Sequence, residues 1–292
     1  MLRHRLLTAA IAIPIELAVI FLGSWPLTAF VVLIVVLGLR EFYQLAVGPQ
    51  PGDLPAPFHV PGWIRWPGYL VAALAPAIAL ARAEAPVAGL LVTSALLVAL
   101  LATLGRRSAA ARHSARPATV SVGLVGSLLL PGLFSHLIYL RYLEPQGFFT
   151  LAGVSVPQGA GWLALVVAVC WTTDSAALAV GKTLGAHKLW PSVSPGKTIE
   201  GSVGGLLGSV LLTLWLGRWL GLSTGHALAL GCALGVVGQL GDLAESKLKR
   251  WAGVKDSGSI LPGHGGVLDH FDSLLANGPF TYYYLRLFVG IQ

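Results

Sequence analysis

Apolar residues fall in long runs separated by short polar joints, over positions 6–22, 26–39, 69–81, 86–104, 118–140, 161–180, 203–222, 226–245 and 267–288. A helix needs about 20 apolar residues to cross the hydrocarbon core of a bilayer, so runs of this kind predict transmembrane helices. The expected fold class is all-α: a polytopic integral membrane helical bundle of about nine transmembrane helices. Arg3, His4 and Arg5 precede the first run in the manner of a signal peptide. A second apolar run follows at once and no small-residue cleavage site is evident, so the first run is expected to be retained as a span. Positions 48–68, rich in Pro, Gly and Trp, suit a loop or a segment lying on the membrane surface.

Composition agrees with the pattern. Hydrophobic residues make up 55% of 292, charged residues 11%, and mean hydropathy is +0.76. Cys170 and Cys232 both lie inside apolar runs, which argues against a disulfide framework or a cysteine metal site. The net charge of +7 could suggest a nucleic-acid partner, but the basic residues are spread over the joints between spans, where membrane topology explains them better. With nine spans, only Arg82, Arg141, Arg218 and Arg286 of the 19 Lys and Arg residues fall on the side away from the N-terminus. That bias predicts a cytoplasmic N-terminus and an external C-terminus. Three regions follow: 1–104 and 105–160 as the N-terminal and middle membrane regions, and 161–292 as a C-terminal catalytic region with cytoplasmic loops.

Two polar islands interrupt the apolar background. In the second, Asp242, Ser246, Lys249 and Arg250 stand at i, i+4, i+7 and i+8, one face of a helix end. Lys255-Asp256 through Pro262 to His264-Gly265-Gly266 is an irregular loop by its turn formers, and Asp269 and Asp272 share one side of the next helix start. Carboxylates flanking a basic loop offer oxygen ligands for a hard cation and cationic groups for phosphate. The first island, 181–202, holds Lys182, Lys188, Ser194, Lys197, Thr198 and Glu200. Its Gly196-Lys197-Thr198 is not a P-loop, because Pro191 stands where that motif needs its first glycine. Asp174 is the one charge inside the sixth run; Glu16, within the first, is either a functional acid or one facing an interface or another helix.

The run Ser246-x-x-Lys249-Arg250-x-x-x-x-Lys255-Asp256-x-Gly258-x-x-Leu261-Pro262-x-His264-Gly265-Gly266-x-x-Asp269-x-x-Asp272 resembles the signature of the phosphatidate cytidylyltransferases, the CDP-diacylglycerol synthases. One departure is His270, where the family usually has arginine. Ser194-Pro195-x-Lys197-Thr198-x-Glu200-Gly201, downstream of Asp174, is similar to a second family segment. The resemblance implies a polytopic membrane enzyme, dimeric, in which phosphatidate attacks the α-phosphorus of CTP to give CDP-diacylglycerol and pyrophosphate. Asp242, Asp269 and Asp272 are then the expected ligands of one or two cations, magnesium the essential one. Those three aspartates with Lys249 form the expected catalytic group.

The same scheme gives Lys249, Arg250 and Lys255 to the triphosphate or the lipid phosphate, a hydrogen bond to Ser246, and close backbone approach to Gly265 and Gly266. Asp174, Lys182, Lys188, Ser194, Lys197, Thr198 and Glu200 join them as substrate-binding candidates. Lys182 and Lys188 serve equally as interfacial anchors; His264 either contacts phosphate or ribose or caps a turn. Asp256 either binds substrate or pairs with Lys255 to shape the loop. Two rivals are a CTP-dependent polyprenol kinase, which would release CDP, and an ion-coupled transporter using Glu16 and Asp174.

Overall fold

The computed structural model describes residues 2–46, 60–81, 117–143, 147–151, 153–260 and 265–291. The expected span at 86–104, the arginine-rich joint holding Arg106, Arg107, Arg112 and Arg116, and His264 lie outside the described residues. In chain order the elements are α1 (Leu2–Leu22), α2 (Ser24–Leu45), α3 (Gly62–Leu80), α4 (Pro117–Arg141), β1 (Phe148–Leu151), β2 (Val154–Pro157), α5 (Gln158–Thr183), β3 (Lys188–Trp190), β4 (Ser194–Thr198), α6 (Ile199–Trp219), α7 (Thr224–Trp251) and α8 (Val267–Tyr284). A π-helical turn, Leu285–Val289, follows α8.

Six described helices are long and apolar enough to cross a membrane: α2, α3, the Gly123–Arg141 part of α4, α5, α6 and α7. The first and ninth expected spans are helical too: among the described side chains α1 has an apolar stretch, Ala10–Leu22, and α8 is not among the six. The architecture is mostly helical, as the apolar runs imply, and it fits an integral membrane protein. It departs from all-α in two small antiparallel hairpins, β1–β2 and β3–β4. Both fall in joints between the expected spans, where three to five residues of extended chain can pair without disturbing a span. Three helices outrun their apolar runs most: α2 continues to Leu45, α3 begins at Gly62 and α7 continues to Trp251. In α7 the added turns carry the charged face of the second island.

The chain divides into two compact units. One comprises Met1–Thr8, Ser24–Ser135 and Leu248–His270; the other comprises Ala9–Gly23, His136–Lys247 and Phe271–Gln292. In the first, Tyr43 and Ser127 share a hydrogen bond of 2.7 Å, and the Ser127 hydroxyl reaches back to the Gly123 carbonyl at 2.7 Å. A buried hydroxyl pair of this kind is satisfied without water, which suits an apolar surrounding.

In the second unit α5 and α6 pack through glycine. A methyl at Gly205 would stand 2.9 Å from the Thr173 carbonyl oxygen, and one at Gly201 would stand 2.7 Å from that of Ala177. Bare Cα positions let the two backbones approach closely, as small residues do between membrane helices. The opposite side of α6 presents Leu207, Leu211 and Trp215, which are 56%, 67% and 59% exposed. In water such a stripe would be a liability; beside acyl chains it is in its own medium. Arg141, at the end of α4, donates from Nε to the Ile20 carbonyl at 2.9 Å. It thereby answers one of the unpaired carbonyls at the end of α1.

Candidate active site

The first island becomes a hairpin feeding a helix. β3 and β4 pair with Lys188 opposite Thr198 and Trp190 opposite Ser194, with a bulge between them. Thr198 ends β4 and caps α6, its hydroxyl accepting from the Gly201 amide at 3.1 Å. Glu200 turns back on the hairpin: it accepts from the Ala186 and His187 amides at 3.2 Å and lies 2.6 Å from His187 Nδ1. As it stands it therefore organises the start of the hairpin. Lys182 and Lys188 are exposed and Ser194 is half-buried. Trp190 carries the Lys247 ammonium 5.8 Å from its ring centroid.

Lys197, on β4, ion-pairs with Asp242 of α7. Ser246, one turn further along α7, donates to the other Asp242 oxygen at 3.3 Å, as the i, i+4 spacing implies. Asp242 thus has a cation and a hydroxyl as neighbours. Close packing also brings α8 alongside, since a methyl at Gly241 would stand 3.0 Å from the Asp272 carbonyl oxygen. Asp272 feels the charges of Asp242, Glu245 and Asp174. The first island, the Asp242, Glu245 and Asp272 part of the second, and Asp174 of α5 therefore meet within the second unit.

Asp269 has a different setting. Its Oδ1 takes the Lys249 ammonium at 2.5 Å. Its Oδ2 accepts from the Ser257 amide at 2.8 Å, the Ser257 hydroxyl at 2.9 Å and the Gly266 amide at 2.7 Å. Gly265 has φ +91°, a left-handed conformation that glycine tolerates. The loop therefore closes on Asp269, and each of its oxygens is engaged by protein donors. Arg250 is exposed and donates to the Val254 carbonyl at 2.8 Å. Lys255 and Asp256 are both exposed, and among the described residues no ion pair joins them.

Among the described residues no three His, Cys, Asp or Glu side chains form a ready-made metal cluster. The donor chemistry nevertheless suits a hard cation at Asp242 and Asp272, carboxylates that face each other's charge. For Asp269 to ligate a metal, the oxygen now held by Lys249 would have to change partner.

Two acids were not singled out from the sequence. Glu245 had a usable signal: it lies three residues after Asp242, on the same side of α7. Glu41, at the end of α2, had none beyond its charge. Its 2% exposure and its hydrogen bonds to residues beyond position 256 emerge only in three dimensions.

The cytidylyltransferase family model matches residues 3–288. The chain belongs to that family. Family members similar to it include a Synechocystis protein named phosphatidate cytidylyltransferase, 33% identical over 99% of this chain and 98% of that protein. A Bacillus subtilis protein of the same name is 40% identical over 53% of this chain and 67% of its own length. A Staphylococcus aureus one is 45% identical over 40% of this chain, which spans 46% of the relative. The family resemblance carried by the two motifs is thus borne out, and a nucleotidyltransferase fits the whole length of the chain.

Proposed function

We propose that this cytidylyltransferase-family chain is a CTP:phosphatidate cytidylyltransferase, which joins CTP and phosphatidic acid to form CDP-diacylglycerol and pyrophosphate. The observation that carries the reading is the Lys197–Asp242 ion pair, which joins the two polar islands across 45 residues of sequence. A triphosphate needs cations placed beside carboxylates that can share a metal, and this pair supplies both at one point.

In the reaction a phosphate oxygen of phosphatidic acid forms a bond to the α-phosphorus of CTP. The bond from that phosphorus to the β-bridging oxygen breaks, and pyrophosphate leaves with the electron pair. Such a displacement needs alignment and charge neutralisation more than a covalent nucleophile. Lys197 is placed to exchange its carboxylate partner for a phosphate oxygen. Lys249, Arg250 and Lys255 are assigned to phosphate as well, with Lys182 and Lys188 at the exposed edge of the hairpin side. Magnesium, with a second cation if one is needed, would be held by Asp242 and Asp272 and would neutralise the triphosphate; Asp269 would join only by releasing Lys249.

The proposal includes nine spans, a cytoplasmic N-terminus and an active site on the cytoplasmic face of a bacterial-type inner membrane, where CTP is at hand and the acyl chains stay in the bilayer. It also includes a homodimer and no nucleic-acid partner. Purified protein given CTP, phosphatidic acid and magnesium should release pyrophosphate and a CDP-lipid in equal amounts. Release of CDP with a phosphorylated alcohol, or no reaction, would overturn the reading.

A further inference from the structure

Glu41 is 2% exposed, yet it sits on α2, remote in sequence from both polar islands. Its Oε1 accepts from the Val267 amide at 2.9 Å, and its Oε2 accepts from the Leu268 amide at 2.9 Å. Those are the first amides of α8, which have no partner inside their own helix. The Ser257 hydroxyl lies 3.0 Å from Glu41 Oε2 and 2.9 Å from Asp269 Oδ2. With one hydrogen to give, it donates to one carboxylate at a time and ties both to the same loop.

Space gives an independent observation. A methyl at Gly258 would stand 2.5 Å from Glu41 Oε1, and one at Gly266 would overlap both Ser257 Oγ and Glu41 Oε2. For Gly258 the three nearest atoms all belong to Glu41. Two glycines of the signature are therefore crowded by a carboxylate from α2, whatever else approaches the loop.

We propose that Glu41 is a positioning residue for the cytidylyl transfer: its buried carboxylate fills the space that Gly258 and Gly266 leave open, fixes the start of α8, and so aims Asp269 at Lys249. The effect on the reaction rests on the function proposed above; the hold on the loop does not. Glu41 acts through Asp269 and Ser257 and does not itself meet substrate. Removing it leaves two helix-start amides short of an acceptor and leaves the Ser257 hydroxyl only Asp269 to donate to, and the loop shifts. A displacement of about 1 Å at a reacting group can cost roughly a hundredfold in rate.

The test uses full-length protein in detergent or liposomes. In Glu41→Gln, hydrogen exchange should quicken in peptides covering 257–269 and stay unchanged in those from α5 and α6. The kcat for CDP-lipid formation should fall roughly a hundredfold with KM for CTP within about threefold, and Glu41→Asp should recover part of it. Gly258→Ala should be as damaging as Glu41→Gln in the wild-type background but add less than about threefold in a Glu41→Ala background, where the obstructing carboxylate is gone. Unchanged kcat in Glu41→Gln, unchanged exchange at 257–269, or an equal Gly258→Ala penalty in both backgrounds would overturn the proposal. Should Glu41→Gln fail to fold, Ser257→Ala removes only the shared hydroxyl; a roughly tenfold fall in kcat supports the proposal and wild-type kcat overturns it. Wild-type protein that makes no CDP-lipid would defeat the functional reading, and the exchange measurement would still decide on Glu41.

Discussion

Asp242 and Asp269 each face a lysine ammonium, but in different surroundings. The Lys197 and Asp242 side chains keep 28% and 23% of their surfaces exposed, against 10% and 9% for Lys249 and Asp269. Asp242 adds one long hydrogen bond from Ser246, whereas Asp269 adds three donors from Ser257 and Gly266. An exposed pair is screened by water and separates at a cost of about 1 kcal/mol or less, while a nearly buried one is expensive to break from either side. Under the proposed function the two aspartates of one signature would then act differently: Asp242 would trade its lysine for a nucleotide and a cation, and Asp269 would join a cation only by releasing Lys249.

The largest expected effect falls on activity at the more exposed pair, Lys197–Asp242. Asp242→Asn should lower CDP-lipid formation by on the order of 10²–10³-fold, the scale of losing one preorganised electrostatic group. Its thermal unfolding in detergent should stay within about 1 kcal/mol of wild type, because the lost pair is partly solvated. A protein that melts far below wild type would break the contrast.

Asp269→Asn should instead show its effect in stability. Lys249 would keep its charge in a nearly buried place without the carboxylate, a loss of about 3–5 kcal/mol, visible as a lower unfolding temperature along with reduced activity. Full stability in this variant would make the two pairs equivalent. The smallest effect tests the hairpin side alone: Thr198→Ala removes the cap from the Gly201 amide and should cost about 1 kcal/mol without abolishing turnover.

The sequence made the helices legible because each apolar run of near bilayer length has only one economical backbone solution. It also placed Asp242 and Ser246 in contact, since i, i+4 neighbours on a helix meet whatever surrounds them. Asp269 and Asp272 appear at the start of α8 for the same local reason. Partners across long loops were not legible. Nothing in the spacing joins Lys197 to Asp242, or Glu41 to the amides of Val267 and Leu268, because those contacts depend on how separate helices pack. Local pattern also hid the β3–β4 hairpin, whose Gly, Pro and Lys content suggests a polar joint but not its register. That Glu200, a candidate substrate contact, also accepts from the hairpin's own amides was hidden in the same way.

Thr198 is at once the last residue of β4 and the cap of α6, so the backbone of Lys197 is gripped on both sides before any nucleotide arrives. A lysine on a loose loop would surrender conformational freedom on meeting its ligand; here most of that loss occurs during folding. Under the proposed function, nucleotides that differ in how well they suit this lysine should then differ chiefly in how long they stay, rather than in how quickly they are caught.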